Sequence, residues 1–162
     1  MKCIKIFILT SLLGLLSACG STSSVFKGVL PQGQHLSWDS VTLAADADAN
    51  LNSAVAVDLV MLHDDETLGL VQNLPAAKWF ATRDDLFKTF PKGLTFQSVE
   101  VVPGQTLQIK QDIFLQKRQT ATLVFANYLT PGEHRVRVDQ LKGHVLLQLG
   151  SKTLTVVTTN PK

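Results

Sequence analysis

Val55-Ala56-Val57-Asp58-Leu59-Val60-Met61-Leu62 is the stretch that decides the fold. In steps of two, Val55, Val57, Leu59 and Met61 make one apolar row, the period of a strand. The intervening row holds Ala56, Val60 and Leu62, with Asp58 its only charge. A strand apolar on both faces belongs at the centre of a sheet or under cover on both sides.

Upstream, Leu36 and Trp38, then Val41, Leu43 and Ala45, alternate with polar or small neighbours and predict a half-buried strand. Asp46-Ala47-Asp48-Ala49-Asn50-Leu51-Asn52-Ser53 is dense in turn formers and reads as a loop. Downstream, His63-Asp64-Asp65-Glu66 has ligand-type side chains. Adjacent residues rarely converge on one ion, so the run is read as the acidic start of a helix, where carboxylates meet the helix dipole. Pro75 suits a first helical turn. Trp79, Arg83, Leu86, Phe87 and Phe90 then fall on one helical face, expected to pack on a sheet, until Pro91-Lys92-Gly93 stops it.

The rest is strand after strand. Leu94 to Val102 leads into Pro103-Gly104, which fits the centre of a type II turn because glycine accepts positive φ. Thr106 to Ile113 alternates, and the polar break Lys117-Arg118-Gln119 is read as a hairpin tip. Ala121 to Tyr128 is apolar, Thr130-Pro131-Gly132-Glu133 is a turn, and Val136 and Val138 alternate with Arg135 and Arg137. Val145 to Leu149, Gly150-Ser151 and Leu154 to Val157 read as a closing hairpin. The sum is an all-β protein, an antiparallel β-sandwich of about 7–8 strands with one or two short inserted helices.

The amino terminus reads as a targeting signal. Lys2 and Lys5 precede an uncharged run from Ile6 to Leu16. A membrane-spanning helix needs about 20 apolar residues, and this run has the length of a signal-peptide apolar region. Leu16-Ser17-Ala18-Cys19 then matches a bacterial lipoprotein processing site, whose cysteine carries the lipid. The expected organisation is a signal peptide at 1–18, a lipidated Cys19 with a flexible tether to residue 34, and a sandwich domain over 35–162. Acyl chains contribute about 0.8 kcal/mol per buried CH₂, so more than one chain anchors stably. Gly20, rather than Asp, follows the cysteine, which favours the periplasmic face of the outer membrane.

Composition excludes several classes. The 15 Lys and Arg include Lys2 and Lys5, so the processed chain balances its 13 Asp and Glu. That is no nucleic-acid footprint. The two cysteines are Cys3, within the signal, and Cys19, so no disulfide is expected in the domain. His35, His63, His134 and His144 show no zinc-ligand spacing, and no nucleophile-elbow or phosphate-loop glycine pattern occurs. A Ser–His–Asp triad is recognised by geometry rather than spacing, and nothing in the pattern selects one. The expectation is a non-enzyme with no cofactor, no metal, no nucleic acid and no small-molecule substrate.

The order of parts resembles the TssJ/VasD/SciN lipoproteins of the bacterial type VI secretion system. Asp48 to Ser53 is similar to the family's loop between its first two strands, and Val55 to Leu62 to the strand that follows. Glu100-Val101-Val102-Pro103-Gly104-Gln105 resembles its Pro-Gly turn, and Ala121 to Tyr128 its apolar strand ending in Ala and Phe. The chain departs from the family where Ser53 leads almost at once into Ala54-Val55, and where Asp58 to Leu62 replaces the usual strand ending. The resemblance implies a transthyretin-like sandwich at the outer membrane that binds the periplasmic part of a TssM-like inner-membrane protein. It implies partner contacts at Asn50, Leu51, Asn52 and Ser53. The alternative expectation is a pilotin-like lipoprotein that assists a secretin or another envelope secretion apparatus. A periplasmic binding module or enzyme would instead show an apolar pocket with a converging histidine and carboxylate.

Overall fold

The computed structural model describes Gly33, His35, and residues 38–110 and 118–158. The signal, Cys19 and most of the expected tether lie outside the described residues. Eight strands form two sheets among them. In the first, β1 (Trp38–Ala45), β4 (Thr106–Lys110), β7 (Gly143–Leu149) and β8 (Leu154–Thr158) take the order β4-β1-β7-β8. In the second, β2 (Val55–Leu62), β3 (Leu94–Val101), β5 (Ala121–Asn127) and β6 (Arg135–Arg137) take the order β3-β2-β5-β6.

The stretch read first is central in its sheet and covered on both sides. β2 lies between β3 and β5, antiparallel to each. Its row Val55, Val57, Leu59 and Met61 packs between the sheets against Val41, Leu43, Val145, Leu147 and Leu149. Its other row, Val60 and Leu62, packs beneath the inserted helices with Leu123, Phe125 and Trp79. Each such side chain contributes about 1.5–3 kcal/mol by leaving water. A register shift between Trp38 and Ser40 inserts one residue into β1. That bulge lets Trp38 and Val41, three positions apart, both enter the core.

Two expectations are corrected. The sandwich is not wholly antiparallel, because β1 and β7 pair in parallel. Alternation with period two is the same in both pairings and carries no direction. The strands on either side of the expected hairpin tip at Lys117-Arg118-Gln119 also do not pair with each other, because β4 pairs with β1 while β5 pairs with β2 in the other sheet, and residues 111–117 lie outside the described residues. The connection therefore crosses between sheets. A polar break marks a turn without saying which strands it joins.

Two helices are inserted between β2 and β3: α1 (Asp65–Val71) and α2 (Ala76–Thr89). Asp64 caps α1, its carboxylate accepting from the Thr67 amide at 2.8 Å, and Asp65 and Glu66 fill the first turn. The acidic run is thus a helix start. Thr67 also donates to the Gly93 carbonyl at 2.9 Å. A Cβ on Gly93 would run into Thr67 and Asp64, so only glycine allows this approach. Pro75 stands immediately before α2, whose first amide, on Ala76, donates to Glu133 O at 2.9 Å. A loop from the sheet therefore satisfies a helix-end donor that has no intrahelical partner.

The α2 face packs on the second sheet largely as expected. Trp79 is fully buried and stacks on Phe125 at 5.1 Å between ring centroids. Phe87 departs from the expectation, remaining exposed with an edge-on contact to Phe96 at 5.9 Å. Phe80, not singled out from the sequence, packs against the cluster in its place.

Candidate partner-docking site

Strand directions gather four connections at one end of the sandwich. β1, β3, β5 and β7 run toward it, and β2, β4, β6 and β8 run away. The β1–β2, β3–β4, β5–β6 and β7–β8 connections therefore share this end. β1 begins at Trp38 at the opposite end.

The β1–β2 connection is built from an unusual backbone. Asn50, Leu51 and Asn52 have φ of 48°, 57° and 62°, three consecutive left-handed residues within the turn Ala49–Asn52. Asparagine tolerates this region because its short amide bonds locally, whereas leucine occupies it at a cost. The cost is held by neighbours. Asn50 N and Leu51 N donate to Gly150 O and Ser151 O of the β7–β8 turn, each at 3.2 Å. The Asn50 side chain accepts from Leu129 N at 2.7 Å and donates to Ala54 O at 2.9 Å. One amide thus ties the β1–β2 connection to the β5–β6 connection.

This arrangement divides the residues singled out from the sequence. Asn50 is buried and positions the turn, so its side chain is not a contact surface. Leu51 is 45% exposed, Asn52 is exposed and Ser53 is half-buried. Sequence reasoning missed Leu129, which is 66% exposed and stands where Asn50 holds its amide. The turn formers from Asp46 to Ser53 marked a loop, and the left-handed backbone at Asn50, Leu51 and Asn52 is seen in the structure. Nothing local to Leu129 marked it, since its neighbour is 79 positions away in sequence.

The rest of the end is laced in the same manner. Gln105 N donates to Val102 O at 3.0 Å across Pro103-Gly104, and Gly104 has φ 78°, as a type II turn requires. Gly104 N reaches back to Asp46 O at 3.0 Å. Tyr128 donates its hydroxyl to Thr153 O at 2.9 Å, and His134 stacks on its ring at 4.6 Å. Burial, and then the Asp46 carboxylate, push the Tyr128 phenol up to about 12.

Two other constellations bring chemistry-bearing side chains together. Asp58 is fully buried and accepts from Trp79 Nε1 at 2.8 Å, Arg83 Nη1 at 2.6 Å and Ser98 Oγ at 2.6 Å. Every partner comes from an element packed on β2, so the group docks α2 onto the sheet. Ser40 Oγ lies 2.9 Å from His144 Nδ1 on the outer face of the first sheet. Among the described residues no carboxylate bonds His144, so the pair lacks the third group that orients a catalytic base. Among the described residues no cluster of His, Cys, Asp and Glu is placed to hold a metal ion. No helix among them is long and apolar enough to cross a membrane. Arg135 and Arg137, on the edge strand, are paired with Glu133 and Asp139.

With this geometry in view, the class is a two-sheet sandwich with helices inserted after its second strand and its connections gathered at one end. No protein-family model and no curated protein matches the chain. Solved structures do. The chain is similar to the T6SS lipoprotein TssJ1 from Pseudomonas aeruginosa, with TM-score 0.58 and 17% identity over 80% of this chain and 100% of that one. It is similar to a chain of the type VI membrane complex, with TM-score 0.59 and 18% identity over 78% of this chain and 100% of that one. It is also similar to a chain in the structure of the T6SS protein TssM C-terminal domain (869-1107) from EAEC, with TM-score 0.53 and 18% identity over 74% and 97%. The fold is TssJ-like, as the sequence resemblance implied.

Proposed function

We propose that the chain is a non-enzymatic lipoprotein of a type VI secretion envelope complex. Lipid on Cys19 would hold it at the periplasmic face of the outer membrane. The opposite end of the sandwich would dock the periplasmic part of a TssM-like inner-membrane protein. The observation that carries this reading is the exposed Leu51 on a left-handed turn that two neighbouring connections hold in place. A leucine kept in a costly conformation while nearly half exposed is not explained by burial in the core. The TssJ-like fold supports the same reading, as does the likeness to chains from a type VI membrane complex and a TssM structure. Membrane tethering raises the effective concentration of the docking end, so a modest contact suffices for assembly. The test is affinity purification of the full lipidated chain from detergent-solubilised envelopes. Recovery of a TssM-type protein is expected, and recovery of a secretin in its place would make the chain a pilotin.

A further inference from the structure

We infer that the open edge of β8 is the contact surface for a second copy of this chain, joined antiparallel about Val156. Four strands end the two sheets: β3 and β6 in the second, β4 and β8 in the first. An open edge is a template for another strand unless charge, proline or brevity blunts it. β3 carries the exposed Glu100, β4 ends in the exposed Lys110, and β6 is the three-residue Arg135-Val136-Arg137. β8, Leu154-Thr155-Val156-Val157-Thr158, has none of these devices. Val156 stands opposite Leu147 of the core and Val157 opposite Leu146 on the outer face. At 38% and 42% exposed, they leave apolar surface on both faces of the strand for a further strand to cover.

Hydrogen-bond alternation fixes which backbone groups face outward. Gly150 N donates to Thr153 O at 2.9 Å, so the pairs that exchange bonds within the hairpin are Gln148 with Thr155 and Leu146 with Val157. The amides and carbonyls of Leu154, Val156 and Thr158 therefore point away from β7, and among the described residues no strand pairs with them. A two-fold axis through Val156, perpendicular to the sheet, sets position 154 opposite position 158 of the other copy and Val156 opposite itself. Each of these pairings joins outward-facing groups, as an antiparallel ladder requires. The same axis keeps inner face to inner face, so each Val157 meets a Thr155 and the two Val156 meet each other. Charge favours this occupant. Thr155-Val156-Val157-Thr158 reads the same in both directions and is uncharged, so two copies set no like charges together along the strand. Lys152, in the turn ahead of β8, lies four positions from the axis in each copy. The two are thus about 26 Å apart at about 3.3 Å per residue, well beyond a Debye length of about 8 Å. Arg135 and Arg137, on β6 beside β8, are already paired with Glu133 and Asp139.

The test is co-purification of two differently tagged full-length copies, produced together in a bacterium without a type VI apparatus. No TssM-type protein is then present to bridge them, so the outcome is independent of the proposed docking function. The parent copies are expected to purify together. Val156→Lys in both copies sets like charges across the axis and is expected to lower recovery about tenfold, as is Val156→Asp in both. One copy with Val156→Lys and the other with Val156→Asp are expected to purify together again. In the same cells Val156→Cys is expected to give a disulfide-linked dimer, because its Cα meets its counterpart at about 5.5 Å, within disulfide reach. Gln108→Cys, on the β4 edge, is expected to stay monomeric. Parent copies that purify apart, recovery indifferent to like charges, or no rescue by the opposite pair would overturn the inference. So would dimers formed equally by both cysteine variants, or a disulfide from position 156 to a different protein. Should Val156→Lys or Val156→Asp lower the thermal midpoint, the two cysteine variants decide alone.

Discussion

Asn50 uses both ends of its amide on backbone, one inside its own turn and one across to Leu129. Asn50→Ala removes two partly buried hydrogen bonds, to the Leu129 amide and the Ala54 carbonyl, each contributing about 0.5–1.5 kcal/mol. The expected result in urea unfolding is a lower midpoint at unchanged slope, with weaker partner capture as the turn relaxes. Leu51→Ser should weaken capture with the midpoint within about 0.5 kcal/mol of the parent, as for an exposed site. Tyr128 offers a second measurement because it is the protein's one tyrosine. Its phenol is held neutral in the fold up to about 12, against an ordinary 10.0. The stability it contributes is complete below pH 10 and is lost as pH rises from about 10 to about 12. Ultraviolet titration of the folded chain should show phenolate appearing near the upper value. Appearance near 10 with the fold intact would contradict the burial described. At this scale the sequence was legible where chemistry is local. The density of turn formers from Asp46 to Ser53 announced a loop, but whether Asn50 faced a partner or the interior depended on Leu129, which no spacing rule links to it.

At the scale of elements, the Asp58 cluster decides how α2 sits on the sheet. Asp58 is fully buried, and Arg83 lies over Phe80 and Phe96 with its guanidinium 5.0 Å and 5.5 Å from the ring centroids. Removing one partner of a buried ion pair typically costs about 3–5 kcal/mol, because the other charge is left without compensation. Asp58→Ala should therefore lower stability strongly, read as the urea midpoint. Because α2 takes its first amide bond from Glu133, loosening it should also reach the β5–β6 connection. β2 was legible because its two apolar rows are a statement about burial on both faces. α2 was legible from its period, although Phe87 was placed on the buried face and Phe80 was not singled out, since both lie at the edge of the apolar stripe. The pairing of β1 with β7 and the crossing from β4 to β5 were not legible. Both are contacts between segments far apart in the chain, and alternation reports a strand's faces, not its neighbours.

At the scale of the molecule, the loop end and the start of β1 lie at opposite ends of strands of eight residues, about 26 Å at 3.3 Å per residue. Cys19→Ser tests this account most directly, with wild-type and variant envelopes separated on a density gradient. The account expects the wild-type chain in the outer-membrane fraction, bringing part of the TssM-type protein with it after crosslinking. It expects the variant chain in the soluble periplasmic fraction and the TssM-type protein confined to the inner membrane. A variant that stays in the outer-membrane fraction, or a TssM-type distribution that does not change, would contradict it.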